Sequence, residues 1–173
     1  MGWVRQEYTD SQACVEISQT GEKAYEGRFS LVMKMDLAGA DPNNHKRRGE
    51  AWVDMQASPP AGGETMPVDL ANRIVTAWVY SPQGARGDDK HPNGFQIFVK
   101  DEAFRSLYGP WNNVAEGAWT PITLTVSSAA QAGGSITAGF DPTRIRVIGV
   151  KMAAGDGSTA VYKGIVYIDK VDW

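Results

Sequence analysis

The chain has 173 residues, 42% of them hydrophobic, which fits one folded domain spanning residues 1–173. Its formal charge is −3 and its sequence pI is near 5.4, so it has no long-range attraction for nucleic acid or an anionic membrane. No apolar run reaches the length of about 20 residues that a membrane span needs. We therefore expect a neutral ligand and neither nucleic acid nor membrane as a partner. The chain is expected to be a monomer.

The chain has one cysteine, Cys14, which excludes an intramolecular disulfide. Its apolar neighbours Ala13, Val15 and Ile17 predict a buried structural thiol rather than a reactive one. No signal peptide is visible at the start, and the chain reads like a module cut from a larger protein.

Strand-like alternation recurs along the chain, whereas helical periodicity is nearly absent. One short helical turn is expected around residues 127–132. Turn-forming stretches of uneven length separate the strands, which favours an all-β, two-sheet antiparallel β-sandwich over an up-and-down barrel. The predicted strands are 12–18, 28–36, 49–57, 73–80, 94–100, 104–109, 119–126, 143–152 and 163–172.

Alternation assigns the residues of each strand to two faces. One side is mostly aliphatic, as with Val75 and Val79, and is expected to form the core between the sheets. The same rule places Ile145 and Val147 in the core and Arg146 outside. The opposite sides mix aromatic with polar residues, among them Trp52, Asp54, Trp78, Tyr80, Gln96, Phe98, Lys100 and Arg146.

This mixture of side chains is suited to neutral sugars. A pyranose ring has an apolar C–H face that an aromatic ring covers, and hydroxyls that amide, carboxylate and cationic side chains bind. We therefore predict a shallow groove for a polysaccharide across one curved sheet. Trp111 lies in a polar loop and is the strongest candidate for an exposed platform, whereas Trp78 could equally be a core residue. The predicted ligand-binding residues are Trp52, Asp54, Trp78, Tyr80, Gln96, Lys100, Tyr108, Trp111 and Arg146.

Several segments carry a recognisable pattern in a fixed order. Residues 24–31 read A-x-x-G-x-x-S-L, and residues 164–173 read G-I-V-Y-I-D-K-V-D-W. Two further segments of the pattern lie between them. One is residues 69–82, and the other is residues 94–101 together with residues 108–111. Together they resemble the jelly-roll (galactose-binding-like) β-sandwich of the carbohydrate-binding modules that are appended to secreted glycoside hydrolases.

The resemblance implies a function and a cofactor. Such modules bind plant cell-wall polysaccharides without catalysis, here a β-1,4-linked glucan such as cellulose, a glucomannan or mannan, or a xyloglucan. They target an attached glycoside hydrolase, and the resemblance implies a secreted protein. It also implies a structural Ca²⁺ with Asp169 as a ligand. Glu26 is a candidate for a second ligand, since calcium takes six to eight oxygens.

Two other functions remain open at this point. One is a structural filler or protein-interaction β-sandwich of a larger enzyme. The other is a small jelly-roll hydrolase or lyase, with Glu50, Asp54, Asp101 and Glu102 as candidate carboxylates. Catalysis is not expected, because 20 acidic residues make chance pairs common and no nucleophile-elbow motif is present.

Overall fold

A computed structural model of the chain describes residues 2–6, 12–38, 46–57 and 66–173. These ranges contain eleven β-strands, and no helix within them is long and apolar enough to cross a membrane. The strands are β1 (Trp3–Arg5), β2 (Cys14–Thr20), β3 (Ser30–Leu37), β4 (Arg48–Asp54), β5 (Ile74–Tyr80), β6 (Gly94–Asp101), β7 (Ser106–Tyr108), β8 (Trp119–Thr125), β9 (Ser135–Ile136), β10 (Ile145–Ala153) and β11 (Tyr162–Asp172).

The strands form two sheets, named here the front sheet and the back sheet. The front sheet has six strands in the order β1-β4-β10-β6-β7-β9, and the back sheet has five in the order β2-β3-β11-β5-β8. Every strand pairing within them is antiparallel. The prediction of an all-β, two-sheet antiparallel sandwich of the jelly-roll type is confirmed.

The aliphatic sides of the strands meet between the sheets and form the core. Val75 and Val79 of β5 are fully buried, and they belong to one hydrophobic cluster with Ile97 and Val99 of β6. Each such side chain stabilises the fold by about 1.5–3 kcal/mol when it leaves water. The sandwich therefore depends on these inner faces, which leaves the outer faces available for other roles.

Strand β10 departs from the predicted alternation at its start. Its pairing with β6 shifts between Ile145 and Val147, so Arg146 is an extra residue in a β-bulge. Ile145 lies in the core, as predicted. Val147 is fully buried, but its predicted place in the core between the sheets is wrong, because the bulge shifts the alternation and Val147 pairs with the outward residues Asp54 and Lys100.

The segment around residues 127–132 is a bend followed by a turn, so the predicted helical turn is wrong. The Ser127 hydroxyl donates to the Ala129 carbonyl at 2.8 Å, and the Thr125 amide donates to the Gln131 side chain at 3.1 Å. Side-chain partners thus satisfy backbone groups at the end of β8 and in the bend.

Cys14 is buried, with 1% of its surface exposed, as predicted for a structural thiol. A Cβ atom on Gly49 would lie 2.3 Å from the Cys14 backbone nitrogen, so only glycine permits this close approach of β2 and β4. Burial raises the pKa of the Cys14 thiol to about 11. The thiol is therefore protonated at neutral pH.

Candidate functional site

The outer surface of the front sheet carries most of the predicted sugar-binding residues. Side chains from β4, β10, β6 and β7 lie in register there and form three rows across the strands. We name this surface, together with Trp111, the front face. Its rows are the polar row of Glu50, Lys151 and Gln96, the aromatic row of Trp52, Gly149, Phe98 and Tyr108, and the ionic row of Asp54, Val147, Lys100 and Ser106.

The aromatic row crosses the middle of the front face. Phe98 is fully buried although it points away from the core, because its ring occupies the space above Gly149. The Tyr108 ring packs beside it, with ring centroids 5.2 Å apart and planes inclined by 34°. Trp52 and Tyr108 are half-buried at the two sides of Phe98. Trp52 and Tyr108 are therefore the rings of this row that a ligand can reach, and Phe98 supports them from below.

The polar row contains three largely buried side chains beside the aromatic row. The Tyr108 hydroxyl donates to Glu50 Oε1 at 3.3 Å, and burial raises the pKa of Tyr108, so this donor stays protonated at neutral pH. Gln96 Nε2 donates to the Gly109 carbonyl at 2.9 Å, which fixes the amide. The carboxylate of Glu50 and the amide oxygen of Gln96 are further acceptors for hydroxyl donors.

Lys151 is the cation of the polar row. Its Nζ lies 4.8 Å from the Tyr108 ring centroid and 4.9 Å from the Trp111 ring centroid. Burial lowers the pKa of Lys151 to about 8, although the charge of Glu50 acts in the opposite direction. Sequence reasoning missed Lys151. The available signal was its place between Val150 and Met152, since alternation puts a lysine there on the outer side.

One member of the ionic row, Asp54, already forms an ion pair within the protein. Arg146 Nε lies 3.0 Å from each Asp54 carboxylate oxygen, and Nη2 lies 2.6 Å from Oδ2. The hydrogen bond from Arg146 lowers the pKa of Asp54. The guanidinium also covers Phe104, with 4.7 Å between its central carbon and the ring centroid. Lys100 Nζ lies 5.7 Å from the Trp52 ring centroid.

Trp111 lies outside the strands, where β6 begins. Phe95 and Asn112 exchange two backbone hydrogen bonds of 2.8 and 2.9 Å, which fix the loop that carries it. The side chain packs against Gly94, where a Cβ atom would lie 3.1 Å from Trp111 Cε3. Trp111 is nevertheless 46% exposed and borders a cavity of about 190 Å³. Its predicted exposure is confirmed.

Trp78 and Tyr80 lie on the outer surface of the back sheet, so they cannot share a groove with Trp52 and Trp111. Trp78 is outside the core, and Tyr25 stacks on it with ring centroids 3.8 Å apart and planes inclined by 13°. The prediction of one groove is corrected in this respect. The sequence gives the alternation within each strand but does not show which sheet a strand joins. Seven of the predicted ligand residues belong to the front face or border it: Trp52, Asp54, Gln96, Lys100, Tyr108, Trp111 and Arg146.

Asp169 and Glu26 lie close together, but their surroundings do not fit calcium. Asp169 Oδ2 accepts the backbone N–H groups of Tyr25 and Glu26 at 2.7 and 3.0 Å, and Oδ1 accepts that of Lys170 at 2.8 Å. Glu26 pairs with the Lys170 ammonium at 2.7 Å. N–H and ammonium donors repel a cation, and the described ranges contain no group of three or more acidic, histidine or cysteine side chains that could hold a metal ion. Calcium binding stays a prediction that this arrangement does not support.

The candidate catalytic carboxylates are tied to structural partners. Asp101 is fully buried, and it binds the backbone of the following turn and the Arg105 guanidinium. Glu102 pairs with Arg144, and Asp54 with Arg146. Glu50 is the remaining candidate, and it accepts the Tyr108 hydroxyl described above. Each of the four carboxylates therefore has a partner within the fold.

Comparisons with known proteins agree with the fold. No family model and no curated protein sequence matches the chain. Among solved structures, the chain resembles one from work on the structural basis for the promiscuous specificity of carbohydrate-binding modules of the β-sandwich superfamily. The TM-score is 0.55 and the identity 18%, covering 99% of this chain and 56% of that one.

Two further structures are similar over most of their length. The C-terminal family 22 carbohydrate-binding module of Clostridium thermocellum Xyn10B gives a TM-score of 0.50 and 13% identity, covering 98% of this chain and 82% of that one. The xylan-binding module CBM15 gives a TM-score of 0.50 and 11% identity, covering 98% and 93%. The described chain thus has the fold of β-sandwich carbohydrate-binding modules, and the resemblance seen in the sequence is confirmed at that level.

Proposed function

We propose that residues 1–173 form a single carbohydrate-binding domain that holds a plant cell-wall polysaccharide on the front face without catalysis. Its ligand is a β-1,4-linked polysaccharide chain. The candidates are the glucan, mannan and xyloglucan expected from the sequence, and also xylan, because one similar module is described as xylan-binding. The domain targets an attached glycoside hydrolase and is secreted with it, as the resemblance implies.

One observation carries this proposal, namely the aromatic row with a polar row beside it on an open sheet surface. The rings of Trp52 and Tyr108 cover the C–H faces of sugars, while Glu50 and Gln96 accept hydroxyl donors. Trp111 extends the apolar surface beyond the strands. A polymer is therefore contacted along its length rather than enclosed in a pocket.

Binding of this kind is weak, because each hydroxyl leaves water before it reaches the protein. We expect a Kd on the order of 10 µM to 1 mM, which corresponds to about 4–7 kcal/mol. Attachment to a hydrolase raises the effective concentration of the enzyme at its substrate. The weak affinity is thus compatible with targeting.

Affinity electrophoresis tests the proposal. The protein is run in native gels that contain soluble glucomannan, mixed-linkage β-glucan, xyloglucan, xylan or pectin, with a gel free of polysaccharide as the reference. Retardation in one or two gels supports the proposal and identifies the class of glycan. Unchanged migration in every gel would contradict it and favour the structural filler or protein-interaction domain. Release of reducing sugar by the isolated chain would contradict the absence of catalysis.

A further inference from the structure

Lys151 holds an unusual position for a lysine in a surface for neutral ligands. It is 8% exposed, and its Nζ lies between the rings of Tyr108 and Trp111. Among the described residues, no carboxylate oxygen lies within 4.0 Å of this Nζ. Its cross-strand neighbour Glu50 instead accepts the Tyr108 hydroxyl. The ammonium is thus largely desolvated without a close counter-ion.

The charge of the front face is opposite in sign to that of the chain. The whole chain has a formal charge of −3. In contrast, the described outward residues of the front-sheet strands comprise four cations and two anions: Arg48, Lys100, Arg146, Lys151, Glu50 and Asp54. These six residues together carry a formal charge of +2, and two of them, Arg146 and Asp54, form an ion pair.

A neutral hydroxyl compensates such an ammonium only in part. A carboxylate neutralises it, and charge-assisted hydrogen bonds are roughly twice as strong as neutral ones. The rings of Tyr108 and Trp111 flank the ammonium, so a sugar stacked on either ring brings its substituents close to Lys151. The geometry therefore suits a sugar that carries its own carboxylate.

We propose that the front face takes an acidic polysaccharide, one bearing uronate groups, and that Lys151 receives a uronate carboxylate between Tyr108 and Trp111. This inference rests on the proposed function and specifies the ligand class of the same site. The contact is a binding interaction only, with no bond made or broken.

Isothermal titration calorimetry with matched ligands tests the inference. The probes are glucuronoxylan, polygalacturonate and alginate, each compared with its carboxyl-reduced form, in which the uronates become neutral sugars. For at least one pair we expect wild-type protein at pH 7 and low salt to bind the acidic form about tenfold more tightly, since a hydrogen bond to a charged group contributes about 1.5–3 kcal/mol. Added salt should reduce this preference.

Two variants locate the charge. Lys151→Met removes the ammonium and keeps a long apolar side chain, so the preference for the acidic form should be lost. Lys163→Met makes the same change on the back sheet, where Lys163 pairs with Asp36, and should keep the preference. Circular dichroism verifies that both variants are folded.

The outcomes separate the inference from the proposed function. Equal or tighter binding of the carboxyl-reduced forms by the wild-type protein would overturn the inference and leave polysaccharide binding intact, whether or not Lys151→Met folds. An acidic preference that survives in folded Lys151→Met would also overturn it. Failure to bind any polymer in either form would contradict both.

Discussion

Phe98 and Gly149 lie opposite each other on β6 and β10, and the Phe98 ring occupies the place of a side chain at position 149. A Cβ atom on Gly149 would lie 2.2 Å from Phe98 Cζ and 2.8 Å from the Ala51 carbonyl oxygen. The flat aromatic row of the front face therefore depends on a glycine in the central strand beside it.

The first prediction follows from this contact. Gly149→Ala forces Phe98 out of its position, and overpacking of this kind costs about 1–3 kcal/mol. Urea unfolding should show that loss, and affinity for the polysaccharide should fall with it. Gly21→Ala is the matched control, because the added Cβ atom would lie 3.4 Å from its nearest neighbour, the Arg28 carbonyl oxygen. The stability of this variant should stay within about 0.5 kcal/mol of wild type. Wild-type stability of Gly149→Ala would contradict the prediction.

The second prediction distinguishes the two outer surfaces. Trp111→Ala should weaken polysaccharide binding about tenfold or more, because an exposed ring on the front face is lost. Trp78→Ala removes the same side chain from the back sheet, where Tyr25 already stacks on it. It should lower thermal stability and leave affinity unchanged. Titration of both variants against the retarding polysaccharide checks this, and the reverse pattern would assign binding to the back sheet.

The third prediction concerns pH. The folded pKa of Lys151 is about 8, so its positive charge is lost as the pH rises from 7 to 9. The neighbouring charged groups are Glu50 and Arg48 on β4, and burial raises the pKa of Tyr108, which stays protonated in this range. Affinity for a uronate polymer should therefore fall about tenfold across this range, while affinity for its carboxyl-reduced form stays constant. Calorimetry at three pH values measures both, and a flat profile for the acidic ligand would speak against the role of Lys151.

The fourth prediction concerns the Asp54–Arg146 pair. Arg146 lowers the pKa of Asp54 in the folded state, so this pair stabilises the fold above the unfolded pKa of about 3.9 and loses that effect as the pH falls through the folded value. Asp54→Asn should cost about 1 kcal/mol at pH 7, and the difference from wild type should shrink below pH 4. Asp156→Asn, at a fully exposed carboxylate that pairs with Arg47, should change little. Urea unfolding at pH 7 and below pH 4 measures the difference in stability between variant and wild type. A difference that is independent of pH would contradict the prediction.

The fifth prediction concerns calcium. Because N–H groups and the Lys170 ammonium surround Asp169 and Glu26, adding calcium or EGTA should leave the thermal midpoint unchanged. Asp169→Ala should lower the midpoint, since the carboxylate fixes the backbone at Tyr25 and Glu26 to β11. Differential scanning calorimetry measures both effects. A midpoint several degrees higher with calcium than with EGTA would restore the calcium site expected from the sequence.

The strands were predictable because period-two alternation is a local property of the sequence. Strands such as β5 and β6 appear within one or two residues of their predicted bounds, with Val75 and Ile97 in the core. Strands β1 and β9, of three and two residues, are too short to show a period, and neither was predicted.

The site was predictable only in part. Aromatic residues on the polar sides of strands indicated a binding surface, but the partition between sheets depends on pairing between distant segments. Trp52 and Trp78 look alike in the sequence and lie on opposite faces of the sandwich. The bulge at Arg146 likewise changes the faces of β10 through a backbone irregularity that the residue types do not reveal.

The buried Cys14 has a practical consequence for handling the protein. Its thiol is inside the core cluster and its pKa is raised to about 11, so neither oxidants nor alkylating reagents reach a thiolate while the two sheets stay together. We therefore expect the folded chain to stay free of intermolecular disulfides in an oxidising medium. The rate at which a thiol reagent labels Cys14 should accordingly report how often the two sheets separate.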